Sequence, residues 1–417
     1  MNSIFFQQNS KVIEMNTQMI STPIRVGKKE APNRIVFQPM ECNDADATGD
    51  PSDLSLNRYR RFAEGGAGII FTESLTITSE SRARKSQLSI TEQNAKGLER
   101  LINEMRKING ESLILFQLNQ SGRLSEAAFS KVISVYPTKD PDIHVLTEEE
   151  IDQIGDNFVN AAVIAKQVGA DGIDFKHCHG YVCTEMIQPA NTRNDRYGGS
   201  FENRTRFFRE TTRKMKDAVD DDSFLLGVRF NAYDGVPGGF GAAGPEEVIE
   251  DLSEPIAFSK MIEEAGMDYI NVSAGIAGSE ITQPSKKYPV GIYRLFGWAQ
   301  AVKKAVNIPV IGSGYSSLRD GKNDLPEPDP AKKDFLYWAE KNLRDGNVDL
   351  VGVGRQSLAD PLFPKKLLAG EFDSINYCTI CDRCLTLMIA QQVVGCAIHD
   401  KHYRDLYRSI KNKTKNQ

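Results

Sequence analysis

Four of the seven cysteines in this chain fall close together, at Cys378, Cys381, Cys384 and Cys396. The pattern is Cys-x2-Cys-x2-Cys, with the fourth cysteine arriving after eleven intervening residues. Three thiols on a tight turn and a fourth from further along the chain can grip either a cubane iron–sulfur cluster or a zinc ion, because thiolate sulfur is a preferred ligand of both. A redox-active metal here implies electrons, and the polar clusters elsewhere in the chain bear on where they go.

Lys176-His177-Cys178-His179-Gly180-Tyr181 follows an apolar run and holds two of the five histidines. A lysine, two histidines and a tyrosine at one strand mouth can hold a substrate oxygen or supply a proton. One histidine alone would read as a satisfied core residue; the cluster reads as a site. The polar stretch from Asn191 to Arg204 leads into a helix that Ser200 is placed to cap. Its charges are expected to pair with one another and hold the loop. Ile311-Gly312-Ser313-Gly314 and Val353-Gly354-Arg355 each end an apolar run with bare backbone, and the second adds a cation. Glycine lets the backbone approach an anion and arginine binds one bidentately, so together they read as a phosphate grip. Gln117 and Arg229 also end apolar runs. A buried arginine requires either a structural salt bridge or an anionic, strongly accepting ligand.

These residues need a frame, and the chain alternates in a way that supplies one. Short apolar runs recur at 34–37, 68–72, 112–118, 172–175, 224–230, 269–272, 309–311 and 348–353. They are continuously apolar, as buried parallel strands are. Helix-like segments fill the gaps, near 200–219, 256–265, 297–306 and 335–343. The clearest follows Thr147, with Glu150 completing a capping box and Gly169 a C-terminal stop. Eight strand–helix units predict an α/β fold of the (β/α)8 barrel class rather than an open doubly wound sheet, with chemistry on the loops after the strand ends. The sequence divides into an N-terminal extension over 1–23, the barrel over 24–371 and a cysteine-rich tail over 372–417. Ser316–Lys333, with Pro326, Pro328 and Pro330, reads as a surface excursion, and Arg408–Lys415 as a frayed basic end.

Composition narrows the class. A net charge of −5 argues against nucleic-acid binding. No apolar run approaches the roughly 18 residues of a membrane helix. The first 22 residues lack the charged-then-apolar pattern of a secretory signal, and free thiols suit a reducing, cytoplasmic setting.

Together these residues resemble the Old Yellow Enzyme family of FMN-dependent barrel oxidoreductases over about Ile24–Ala369. The resemblance rests on His179-Gly180-Tyr181, on Asn191…Arg193…Asp195…Tyr197-Gly198-Gly199-Ser200…Glu202-Asn203-Arg204, on Gln117…Gly122-Arg123 and on Gly354-Arg355. The four cysteines are similar to those of its iron–sulfur branch, which includes 2,4-dienoyl-CoA reductase and trimethylamine dehydrogenase. The resemblance implies a [4Fe–4S] cluster on Cys378, Cys381, Cys384 and Cys396. It implies FMN across the barrel mouth, bordered by Gln38, Pro39, Met40 and Ser74. Gln117 would then face the pyrimidine edge, Arg229 the N1 side, and Gly312, Ser313, Gly314, Gly354 and Arg355 the phosphate.

The chain departs from the family at three points. Lys176 stands where a histidine or tyrosine is usual, so the pair expected on a substrate carbonyl becomes Lys176/His179, with His177 an extra. Glu41 follows Pro39-Met40 where some relatives carry a flavin-tuning cysteine, and Cys42, one residue later, faces the other way in an extended segment. The multidomain members of that branch carry flavodoxin-like and nucleotide-binding domains, and the sequence up to Gln417 is expected to hold neither. The resemblance implies reduction of an activated C=C bond in a small-molecule substrate, with Tyr181 as proton donor and His179 and Lys176 on the oxygen. Electrons would come from NAD(P)H or an electron-transfer protein. The alternatives are an amine or C–H dehydrogenase that passes electrons outward through the cluster, and a non-catalytic barrel with a structural zinc.

Overall fold

The computed structural model describes residues 19–276, 279, 291–322 and 327–415. Eight strands form one closed, all-parallel barrel: β1 (Ile35–Phe37), β2 (Ile69–Thr76), β3 (Leu113–Asn119), β4 (Gly172–His177), β5 (Leu225–Asn231), β6 (Tyr269–Ser273), β7 (Val310–Gly312) and β8 (Leu350–Val353). Each strand pairs with its successor, and β8 closes on β1. The helices that follow them are α1 (Asp53–Gly65), α2 (Ala95–Ile108), α3 (Glu148–Gln167), α4 (Arg206–Val219), α5 (Ser253–Glu264), α6 (Gly291–Ala305), α7 (Phe335–Arg344) and α8 (Phe363–Leu368). The capping box of Thr147 and Glu150 opens α3. Between Ser200 and Val219 the expected single helix is two: Phe201–Arg204, then α4. The Thr205 hydroxyl bonds back to the Phe201 and Glu202 carbonyls at the break.

Strand side chains alternate between the barrel interior and the helix layer, and this period of two sorts the site. Interior positions read Leu113, Leu115, Gln117 along β3, Leu225, Gly227, Arg229 along β5 and Tyr269, Asn271, Ser273 along β6. The lower layers are apolar and fill the barrel. Gly227 admits the Tyr269 ring, since a Cβ there would lie 2.0 Å from it. The antiparallel hairpin of Ile24–Val26 and Lys29–Ala31 adds Val26 and Ala31 to this inner cluster. The top layer is polar and faces the mouth.

Two expectations about the surface are corrected. Ser316, Ser317 and Leu318, the first part of the expected excursion, are buried, and Ser316 and Ser317 lie on a short 3-10 turn after β7; Pro326 lies outside the described residues. Arg408–Lys415 is not frayed but belongs to a helix, Lys401–Lys415 (α10). Tyr403, Leu406, Tyr407 and Ile410 recur at helical spacing and pack onto the core, which anchors it. The tail's other helix is α9 (Arg383–Ile389). Among the described residues no helix is long and apolar enough to cross a membrane.

Candidate functional site

Lys176 closes the interior face of β4 and is buried, with Nζ donating to Ser74 Oγ at 2.9 Å. Burial lowers its pKa against the pull of Glu41. His179 follows in the left-handed region, φ 67°. A non-glycine residue there costs on the order of 1 kcal/mol, and such strain is typical of functional positions. Its Nε2 lies 2.9 Å from Ser273 Oγ. Burial, with Arg229 and Lys176 nearby, holds its pKa well below the ordinary histidine value, so the ring is neutral. The Tyr181 hydroxyl donates to Glu41. Glu41 also pairs with Arg84 at 3.0 Å and lies 3.6 Å from Lys176. Burial would raise the Glu41 carboxyl, but Lys176 and Arg84 outweigh it and hold the pKa below its usual value.

The structure thus brings Lys176, His179, Tyr181, Ser74 and Arg229 to one mouth, and adds Glu41, Arg84 and Ser273. Gln38 is also there, exchanging two amide hydrogen bonds with Asn271 at 2.7 and 2.9 Å. Gln117 donates to Asp174 at 2.6 Å. Burial raises the Asp174 pKa to about 6, against its bond from Gln117 and the Arg229 charge. Met40 Sδ stands 2.9 Å from where a Cβ on Gly354 would sit, so the Met40 side chain packs closely on the Gly354 backbone. Gly312 and Gly314 leave bare backbone after β7, while Ser313 Oγ donates to the Val272 carbonyl at 2.6 Å.

Arg229 bears most directly on a cofactor. It is buried, its Nη2 reaches Ser273 Oγ only at 3.4 Å, and its Nε has no hydrogen-bond partner. A buried guanidinium with an unsatisfied N–H is costly unless an acceptor arrives. The carbonyl edge and N1 of a flavin would be such an acceptor, so these residues fit FMN.

His177 is not part of this arrangement. It shares the outward face of Ile173 and Phe175, and its ring packs 4.4 Å from Phe175, 5.5 Å from Phe208 and 5.7 Å from Phe258. Burial holds its pKa down at about 3. An unfolded histidine titrates near 6.5. The stability this neutral ring contributes is therefore complete above about pH 6.5 and lost as pH falls toward 3. His177→Leu should flatten the fall of melting temperature between about pH 6.5 and 4; an unchanged slope would mean that the ring titrates normally. Cys42 likewise faces the core, its Sγ on the Met40 carbonyl at 3.0 Å.

The charges of the Asn191–Arg204 loop hold it mostly by pairing with groups outside it rather than with one another. Arg193 pairs with Asp195 and donates to the Val135 and Leu146 carbonyls. Arg196 pairs with Asp152, and Arg204 with Glu254.

Cys378, Cys381, Cys384 and Cys396 line one cavity together with Arg355. Ile380 and Asp382, on either side of Cys381, are both left-handed, at φ 51° and 56°. For a β-branched residue such as Ile380 this is a marked outlier, and it falls in the turn that carries Cys381. Arg355 donates to Asp382 at 2.8 Å, so the residue expected on the phosphate also borders the thiols. Among the described residues no three His, Cys, Asp or Glu side chains close on a single metal ion. The tail is fastened to the mouth: Val394 N–H donates to the Cys42 carbonyl at 2.8 Å, Asn43 to Gln392 at 3.0 Å and Arg58 to Val394 at 2.6 Å.

Glu41, Arg84, Asn271 and Ser273 carry no sequence motif. Asn271 and Ser273 were still reachable, since they take the interior, C-terminal positions of β6, where barrel chemistry lies.

Comparison with known proteins agrees with this frame. Residues 19–326 match the NADH:flavin oxidoreductase / NADH oxidase family. An NADH oxidase of Thermoanaerobacter brockii is 33% identical over 370 residues, covering 86% of this chain and 52% of its own length. A cinnamate reductase of Clostridium sporogenes is 27% identical over 407 residues, covering 92% and 57%. The chain spans about half the length of these relatives. A solved 2-naphthoyl-CoA reductase complex superposes with a TM-score of 0.79 at 23% identity, over 93% of this chain and 58% of that one, which shows a shared fold. The chain is an enzyme and belongs to the NADH:flavin oxidoreductase / NADH oxidase family, whose cofactor is FMN.

Proposed function

We propose that the enzyme reduces an activated C=C bond of an enone- or enoate-like small molecule. FMN, when bound, supplies the hydride equivalent to the substrate's β-carbon. His179 and Lys176 hold the carbonyl or carboxylate oxygen and stabilise the charge that develops there. Tyr181 gives a proton to the α-carbon. Arg229 and Gln117 orient the flavin's pyrimidine side, Gln38, Pro39, Met40 and Ser74 border it, and Gly312, Ser313, Gly314, Gly354 and Arg355 hold its phosphate.

The observation that carries this reading is the charge of the mouth. Lys176 and Arg229 are buried there beside a neutral His179, and together with Arg84 they outnumber the Glu41 and Asp174 carboxyls. Such a site favours a substrate that becomes anionic in the transition state and repels a cationic amine, which weighs against the amine-oxidising alternative.

Cys378, Cys381, Cys384 and Cys396 are proposed to hold a [4Fe–4S] cluster that passes single electrons from an electron-transfer protein or NAD(P)H-linked donor toward FMN. Four thiols lining one cavity support this reading, since thiolate sulfur is the protein ligand of such a cluster. Free thiols throughout the described residues suit a reducing, cytoplasmic compartment. Anaerobic purification followed by a visible spectrum and iron, sulfide and zinc analysis tests the cofactor set; zinc without iron would support the structural-zinc alternative. Arg355→Ala should weaken FMN binding by about 1.5–3 kcal/mol, the value of a charge-assisted contact. Unchanged affinity would remove Arg355 from the phosphate site.

A further inference from the structure

The loop after β1 delivers a carboxylate to the one part of the mouth that holds a phenol between two cations. Glu41 accepts the Tyr181 hydroxyl, pairs with Arg84 Nε at 3.0 Å and lies 3.6 Å from Lys176 Nζ. Lys176 Nζ stands 3.5 Å from the centroid of the Tyr181 ring, within cation–π range. Lys176 and Tyr181 are 3% and 4% exposed. The four side chains come from three separate stretches of chain, so their meeting is a product of the fold.

Glu41 takes the hydrogen bond of the Tyr181 hydroxyl, Arg84 pairs with Glu41 and favours charge on the Tyr181 oxygen, and Lys176 stacks on the ring. Loss of the phenolic proton would therefore leave the new anion beside two cations. We propose that Glu41 and Arg84 are positioning residues of the proton-donating step: Glu41 aims and holds the Tyr181 hydroxyl, and Arg84, with Lys176, supplies the counter-charge for the phenolate.

This rests on the C=C-reduction reading. In that step the β-carbon gains the hydride, with both electrons, from reduced FMN. The α-carbon gains the Tyr181 proton: the phenolic O–H bond breaks and a C–H bond forms. The O–H bond is then remade with a proton from solvent. The other titratable groups that face the set are Cys178 beside Tyr181 and Lys176; Arg229, Asp174, His179 and Cys183 beside Lys176; Glu73 and Cys42 beside Glu41; and Glu126 beside Arg84.

The test is a pH titration of tyrosinate absorbance on the FMN-loaded protein, with each protein's Tyr181→Phe counterpart subtracted. Burial and Glu41 raise the Tyr181 pKa, and Arg84 opposes them. Glu41→Gln should therefore lower the titration of Tyr181 by about 1–3 pH units, the usual effect of one close charge. Arg84→Gln should move it the other way, and Arg84→Lys should restore it. In Glu41→Gln, the alkene-reducing step should also lose rate toward alkaline pH as the donor ionises early. Either single variant suffices if the other fails to fold. A Tyr181 titration indifferent to Glu41 and Arg84, in a protein that still reduces an activated alkene, would overturn the proposal and leave the reaction reading intact. Failure of the unmutated enzyme to reduce any activated alkene would remove the reaction reading on which it rests.

Discussion

Tyr181→Phe should slow alkene-driven reoxidation of the reduced enzyme by about 10²–10⁴-fold, the usual worth of a positioned proton donor. FMN content and the rate of flavin reduction should not change. The substitution removes only the hydroxyl, so the ring remains against Lys176, and that hydroxyl bonds to Glu41. His179→Ala should behave differently, weakening substrate binding together with the hydride step, because it removes a contact to the developing oxyanion. Stopped-flow measurement of the two half-reactions separates the cases. Equal slowing of both halves by Tyr181→Phe would show a general structural role and end the acid assignment.

Cys384→Ser should lower bound iron well below about four atoms per chain, since it removes one of the four thiolates proposed to hold the cubane. FMN should be retained, because the mouth is built by the barrel strands. Transfer from one-electron donors into FMN should fail, while a chemical reductant that reaches FMN directly should still work. The tail should also loosen, since metal binding to a thiolate site is itself folding free energy. Hydrogen exchange at Val394, whose N–H bonds to Cys42, would report it. Full iron content in Cys384→Ser would mean that the four cysteines do not act as a set.

The fold was legible because buried parallel strands are continuously apolar, and eight such runs leave little choice of architecture. The end of α10 was not, because its cationic residues mask the apolar stripe of Tyr403, Leu406, Tyr407 and Ile410. Within the site, a cluster reading placed His177 with Lys176 and His179, yet strand alternation alone puts His177 on the outward face with Phe175. Glu41 was legible only as a residue replacing a flavin-tuning cysteine, and its meeting with Arg84 was beyond reach for another reason. They are separated by 43 residues on two loops, and only barrel closure brings them together at Tyr181.

The most direct test of the central claim is one anaerobic turnover. The enzyme is reduced, freed of excess reductant and mixed with an α,β-unsaturated carboxylate or ketone while flavin absorbance and product are followed. The account predicts that oxidised-flavin absorbance returns as one equivalent of the saturated product forms. An enzyme that stays bleached with every activated alkene, but whose oxidised form is bleached by an amine, would contradict it.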